Sequence, residues 1–299
     1  MPASPPVAFL TLVRHAQSEA NAQRVLQGIT DAPLSRNGVQ QVQRLEAAWR
    51  PCDEAANSFG LPQPHLIVAS PIGRARKTSD AIAQGCSIAV SDDTGTTYAS
   101  RVASVPAPTE ALEATVLLDA GLSERHFGKA EGTRQGKPVD GFPCVTKERG
   151  DTQASFTKRV ALASQKWIQW LVAYAAHCAG QQSSTFEKRA RSDDDNVPHL
   201  VLVSHGQWIN AFLSIHAPHL RRGADAFYIR SENTGLFTLA VHLDETKTPY
   251  LRVIKQNETS HLDGLLPPRK KARGAQSTTL TTLWHPAPRG NMQGEQTRK

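Results

Sequence analysis

Long apolar runs and paired cysteines are what this 299-residue sequence has least of, and each absence removes a class of protein. No stretch is long and apolar enough to span a bilayer, so no membrane partner is expected. The opening MPASPPVAFL lacks both a basic stretch and an apolar core, so no secretory leader is expected and the chain is placed in the cytoplasm. Cys52, Cys86, Cys144 and Cys178 stand far apart with no CxxC, which argues against a zinc knuckle or a disulfide framework and reads as reduced thiols. Eleven histidines are present, but the nearest pair, His216 and His219, flanks Pro218, which spoils the helical spacing two ligands on one face need. No metal and no other cofactor is expected.

An even spread of positive charge is missing as well. The net charge is +7, yet residues 265–299 hold seven Lys or Arg against the single acid Glu295, while the rest of the chain sets 27 bases against 26 acids. A nearly neutral body lacks the basic stripe of a nucleic-acid-binding fold. The tail is separate: its PPRKKARG cluster reads equally as a solvated run and as a nuclear address or phosphate contact. What remains is ordinary for a globular protein, with 39% hydrophobic and 20% charged residues. The mean hydropathy of -0.40 points to solvated inserts.

The body alternates strands and helices, the pattern of an α/β fold. Val7 to Val13 reads as a strand, and PLSRNGVQQVQRLEAAW puts Val39, Val42, Leu45 and Trp49 at helical spacing behind a cap at Ser35. HLIVAS is a second strand, followed by a helix over IGRARKTSDAIA with Pro71 in its first turn. ATVLLDAGL holds a third strand. From Gln153 to Tyr174 the residues Phe156, Val160, Ala163, Trp167, Trp170, Leu171 and Tyr174 mark one amphipathic helix. HLVLVSHG is a strand, QWINAFLSIH a helix with Trp208 and Phe212 in its core face, and GLFTLAVHL and PYLRVIKQ close the body. Residues 92–113 and 180–198, polar and without period, read as inserts. No internal repeat is found. The expected organisation is one domain over residues 1–264 and a basic, disordered tail over 265–299.

Twice an apolar strand runs out and delivers a histidine: His15, and then His205. Either alone reads as a structural residue. Their neighbours change the reading. Arg14 precedes the first, and Arg74 sits one turn into the helix after the second strand, so two guanidiniums can converge where the strands of a parallel sheet end, the place where open α/β folds bind ligands. Arginine presents a planar fork of donors suited to phosphate oxygens, and two uncompensated ones in a cleft call for an anion.

These residues carry a resemblance. LVRHAQSEAN with LQGITDAPLSRNG, VASPIGRARKTSDAI, LSERHFGKAEG, LVSHGQWINAFL, NTGLFTLAV and NETSHL, scattered over residues 7–262, resemble the histidine phosphatase superfamily, also called phosphoglycerate mutase-like. The resemblance implies a three-layer α/β/α sandwich with a mostly parallel central sheet. It implies that His15 is the nucleophile and that Arg14, Arg74 and His205 surround the transferred phosphoryl group. Asn21 adds an amide donor, Gly206 a close backbone approach, and Glu124 matches the proton donor to the leaving oxygen. Gln27 and Gly28 match positions near the substrate loop, although their side chains could serve only the turn, and Gln207 follows the second His-Gly. Without the resemblance, Glu124 reads as a surface ion-pair partner of Arg125 or Lys129, and His126 as structural.

Ala16, Gln17, Ala20 and Gln207 depart from the commoner residues of the pattern and put the substrate, not the chemistry, in question. GKAEGTRQGKPVDGFP lacks the basic and aromatic run of the mutases, whereas FGKAEG and GDTQASFTKRV are similar to the fructose-2,6-bisphosphatase-like and broad-specificity phosphatases. The expectation is a metal-independent phosphomonoesterase of small phosphorylated metabolites working through phosphohistidine. A phosphoglycerate mutase is the first alternative. The second is a phosphatase-like scaffold whose tail recruits nucleic acid or an import receptor. Oligomeric state is not legible in the pattern.

Overall fold

A computed structural model describes residues 5–51, 57–88, 106–109, 116–143, 149–182, 197–220 and 229–265. Most of the stretch 92–113, residues 183–196 of the second expected insert, and the tail from 266 onward lie outside the described residues.

Strand β1 (Ala8–Arg14) lies near the middle of a six-stranded sheet. Beside it runs β6 (His199–Ser204), then β2 (Leu66–Ala69) and β3 (Val116–Leu118), all four parallel. On the other flank β7 (Leu236–Leu243) pairs antiparallel with β1, and β8 (Pro249–Glu258) antiparallel with β7, giving the order β3-β2-β6-β1-β7-β8. A parallel sheet buried on both faces needs apolar side chains on both, which explains the continuous apolar runs. Leu10, Leu12, Leu66, Val68, Leu200 and Leu202 point to one side, into a core with α4 (Gln153–Gln182) and α5 (Gly206–His216). Val13, Ile67, Ala69, Val201 and Val203 point to the other, against α2 (Arg36–Trp49) and α3 (Gly73–Gly85). The period of two along each strand thus builds the three-layer sandwich.

The aromatic stripe of α4 is core, with Phe156, Trp167 and Trp170 buried, and so are Trp208 and Phe212 of α5, which stack with ring centroids 5.5 Å apart. The α4 helix runs past Tyr174 to Gln182, so the first residues expected of an insert are helical. Ser35 caps α2 through its side chain, which accepts from Gly38 N at 3.0 Å. A Cβ at Gly38 would overlap the Gln17 carbonyl, so a glycine is what lets the helix start lie against the loop after β1. Pro71 lies outside the helix, not in its first turn as expected: the cap of α3 is Ile72, in an extended conformation, and the proline precedes it. A two-stranded hairpin, β4 (Thr133–Arg134) with β5 (Lys137–Pro138), and a short helix α1 (Glu19–Ala22) stand off the main sheet.

Candidate active site

The register of β1 and β6 pairs Arg14 with Ser204, so the residues that follow, His15 and His205, leave the sheet side by side. His15 N donates to Ser204 O at 2.9 Å, and the two imidazole centroids are 5.0 Å apart with a 55° tilt. Both rings are buried, His15 being 2% exposed. The Nδ1–H of His15 donates to the carbonyl of its neighbour Ala16 at 2.7 Å, which fixes the tautomer and leaves Nε2 with its lone pair. That Nε2 accepts from Arg74 Nε at 3.3 Å. Burial foremost, then the charges of Arg74 and Arg14, hold His15 well below the ordinary histidine pKa, against the opposing bond to Ala16 O. The ring is therefore a neutral base at neutral pH.

Arg74 reaches this point from the first turn of α3, 2% exposed. Its Nη2 donates to Gly28 O at 2.6 Å and its Nη1 to Thr30 O at 2.7 Å, with Asp31 Oδ1 3.5 Å from Nη1. With the Nε bond to His15, four of the five guanidinium N–H donors are engaged and one, on Nη2, remains for an anion. The loop that supplies these carbonyls is held in turn by the fully buried carboxylate of Glu131. That carboxylate accepts from Ile29 N at 3.2 Å, Thr30 N at 2.9 Å and Phe127 N at 2.9 Å. Gly28 has φ +51°, and a Cβ there would overlap Glu131 Oε1. Gly28 thus enters the site through its carbonyl. The Gln27 side chain does not enter it in this structure, being paired with Ser18 Oγ at 2.7 and 3.1 Å.

Arg14 is oriented from the opposite flank, where its Nη1 donates to Ser231 O at 2.6 Å. Asn233 Nδ2 donates to His15 O at 2.8 Å and lies 3.4 Å from Asn21 Oδ1. Asn21 Oδ1 also accepts from Ser18 N at 3.2 Å, so its acceptor is engaged in capping α1 while its amide nitrogen is the group left for a ligand. His205 Nε2 is 2.8 Å from Ser70 Oγ. Among the described residues, His205 Nδ1, Arg14 Nε and Ser231 Oγ are buried polar atoms with no hydrogen-bond partner. Unsatisfied buried donors beside two guanidiniums are what a bound oxyanion would satisfy.

Glu124 is 8% exposed, not a surface ion-pair residue. Its Oε1 accepts from Arg125 N at 2.9 Å and its Oε2 from Gln207 N at 3.1 Å, in the first turn of α5. Burial raises its pKa, against the pull of those two N–H groups and of Arg74 and Arg14. Gly206 and Gln207 open α5 directly after His205, and Gln207 contributes its backbone N–H. His216 of α5 lies 2.9 Å from Ser164 Oγ, in the core. Among the described residues no three His, Cys, Asp or Glu side chains gather as a metal site, and no helix is long and apolar enough to cross a membrane.

Residues 10–95 match the family model of the histidine phosphatase superfamily (branch 1). A probable phosphoglycerate mutase of Citrobacter koseri, GpmB, is 37% identical over 82 residues, 27% of this chain. The chain spans 34% of the length of that relative, and the same share of its counterpart from Salmonella arizonae at 35% identity. Among solved structures, Bacillus stearothermophilus YhfR superposes with a TM-score of 0.51 at 17% identity, covering 85% of this chain and 99% of its own. A mycobacterial glucosyl-3-phosphoglycerate phosphatase gives 0.51 at 20%, covering 84% and 99%. These likenesses establish a shared fold. The family match takes in the first strand, the first helices and Arg74, and the solved structures share the fold.

Proposed function

We propose that the protein is a metal-independent phosphomonoesterase that passes the phosphoryl group of a small phosphorylated metabolite through His15. The observation that carries this reading is the neutral His15 Nε2, fixed by the Ala16 carbonyl and facing the buried Arg74 guanidinium. An unprotonated imidazole nitrogen beside cations that neutralise a phosphate is a nucleophile that needs no separate base once the arriving phosphoryl group takes over its long contact with Arg74 Nε. Nε2 attacks phosphorus in line as the bond to the leaving oxygen breaks. Arg14, Arg74 and the Nδ1–H of His205 meet the charge on the equatorial oxygens, with Ser70 Oγ–H donating to His205 Nε2 to hold that tautomer. Asn21 supplies a further donor. Glu124, whose pKa burial raises, in its protonated form gives its proton to the leaving oxygen; it then takes one from the water that attacks the phosphohistidine, freeing phosphate and restoring His15.

A mutase reading has one observation in its favour, the description of the curated relatives as probable phosphoglycerate mutases. It differs only in the acceptor: the phosphoryl group returns to a second hydroxyl instead of water. The test is a chelator-containing assay on p-nitrophenyl phosphate and a panel of sugar phosphates, alongside interconversion of 2- and 3-phosphoglycerate. Release of phosphate, lost in His15→Ala, supports the hydrolase. Interconversion without net release replaces it by the mutase, and an unchanged His15→Ala overturns both.

A further inference from the structure

The loop Ser231–Gly235 makes four hydrogen bonds to Arg14 and His15, and it does so in an unfavourable backbone conformation. Ser231 O takes Arg14 Nη1, Asn233 Nδ2 holds the His15 carbonyl, Thr234 N donates to Arg14 O at 2.9 Å, and Arg14 N donates to Gly235 O at 3.2 Å. Thr234 sits between these contacts with φ +58° and is fully buried. Five other non-glycine residues have positive φ among the described residues: Arg24, Ser87, Gln135, Lys247 and Asn257. The first four are exposed, and Thr234 alone is β-branched and completely enclosed. A branched Cβ is sterically disfavoured in the left-handed region, so the surroundings must impose that conformation.

What imposes it is visible. Thr234 Oγ1 donates to Asn233 O at 2.7 Å and accepts from His261 Nε2 at 3.0 Å. His261 is kept neutral by burial, its pKa lowered to about 4, and its ring packs edge-on to Phe59 at 5.5 Å. Asn257 Oδ1 takes Glu232 N at 2.8 Å and lies where a Cβ on Gly235 would fall. Two residues after β7, far along the chain from His15, therefore clamp the turn that carries Asn233 and Ser231.

We infer that Thr234 is a positioning residue of the His15 site, a strained turn clamped by His261 through which Asn233 and Ser231 aim the His15 backbone and the Arg14 guanidinium. The inference rests on the phosphoryl-transfer reading for its kinetic consequence and on geometry alone for its structural one. Strain at such a point trades folding stability for a fixed site.

The experiment compares Thr234→Gly, Thr234→Ser and the unchanged protein by thermal unfolding, by kcat and KM on p-nitrophenyl phosphate, and by the nitrogen-15 signal of the His15 ring, assigned by its loss in His15→Gln. Glycine accepts the positive φ but lacks the clamp, so Thr234→Gly should keep its melting temperature within a few degrees while kcat/KM falls about tenfold or more. Its His15 signal should shift or broaden. Thr234→Ser, which retains the hydroxyl, should recover most of the activity and the native His15 signal. Full activity with an unmoved His15 signal in Thr234→Gly overturns the inference, and so does a joint collapse of stability and activity that serine does not rescue. If the unchanged protein shows no turnover and binds no vanadate, the phosphoryl-transfer reading fails by itself, and the His15 signal still decides whether Thr234 positions the ring.

Discussion

At the scale of single residues, the site combines two histidines held neutral with a carboxyl group whose pKa is raised, and burial is the largest cause of each shift. On the proposed reading His15→Ala removes the nucleophile while leaving the surrounding cations, so turnover should fall at least about a thousandfold with little change in the far-ultraviolet circular dichroism. Glu124→Gln should cost about a hundredfold on alkyl phosphates and much less on p-nitrophenyl phosphate, whose leaving group needs no proton. The pH profile carries a sign. Because burial raises Glu124, its donor form persists above the usual carboxylate range, and kcat/KM should decline as pH rises through that raised pKa. The decline should be absent in Glu124→Gln. No matching acid limb is expected near pH 6.5, since His15 stays neutral well below it.

At the scale of elements, the loop between α1 and α2 does what no single side chain does: it offers carbonyls to a cation. Gly28→Ala would place a Cβ against Glu131 at a positive φ, at a cost of about 1–3 kcal/mol, and would pull the Gly28 carbonyl off Arg74. Measured KM should rise more than kcat falls; a variant with native kinetics would show that the carbonyl cage is dispensable. This is also where the sequence becomes hard to read. Strands ending in Arg14-His15 and Ser204-His205 were legible because a doubly buried strand writes a continuous apolar run and stops where the site begins. The helix cap at Ser35 and the core stripe of α4 were legible from spacing. Glu131, Ser70, Ser231 and Asn233 were not, because their work is done through backbone groups and long-range partners that leave no periodic trace. Their one signal was membership of the quoted KAEG, VASPIG and NTG blocks, with Ser231 lying just ahead of the last. Glu124 was legible as a proton donor only through the resemblance; on residue type alone it reads as a surface ion-pair partner, which its burial and two N–H donors rule out.

At the scale of the whole molecule, the sheet buries histidines far from the site as well. His199 donates Nδ1–H to Pro62 O at 2.8 Å and accepts from Thr11 Oγ1 at 2.9 Å, stacked on Trp49, and burial lowers its pKa to about 4, as it does for His216 and His261. His15 and His205 are lowered further in the same direction. An unfolded chain takes up protons at these histidines near pH 6.5 and the folded one does not, so stability should fall as pH drops from about 6.5 toward about 4. Glu124, raised, works in the opposite sense and favours the folded state at acid pH relative to neutral. With five histidines against one glutamate, the urea midpoint should be lower at pH 5 than at pH 7.5; an equal or higher midpoint would contradict the buried neutral state of these rings.

The cage around His15 has a further consequence on the proposed reading. Arg74 is already fixed by Gly28 O and Thr30 O, and Arg14 by Ser231 O, before any substrate arrives. A receptor preformed for a tetrahedral oxyanion attracts the phosphate it releases as readily as the phosphoryl group it takes up. The enzyme is then its own brake: free orthophosphate competes with substrate for the same donors, and the rate slackens as product accumulates.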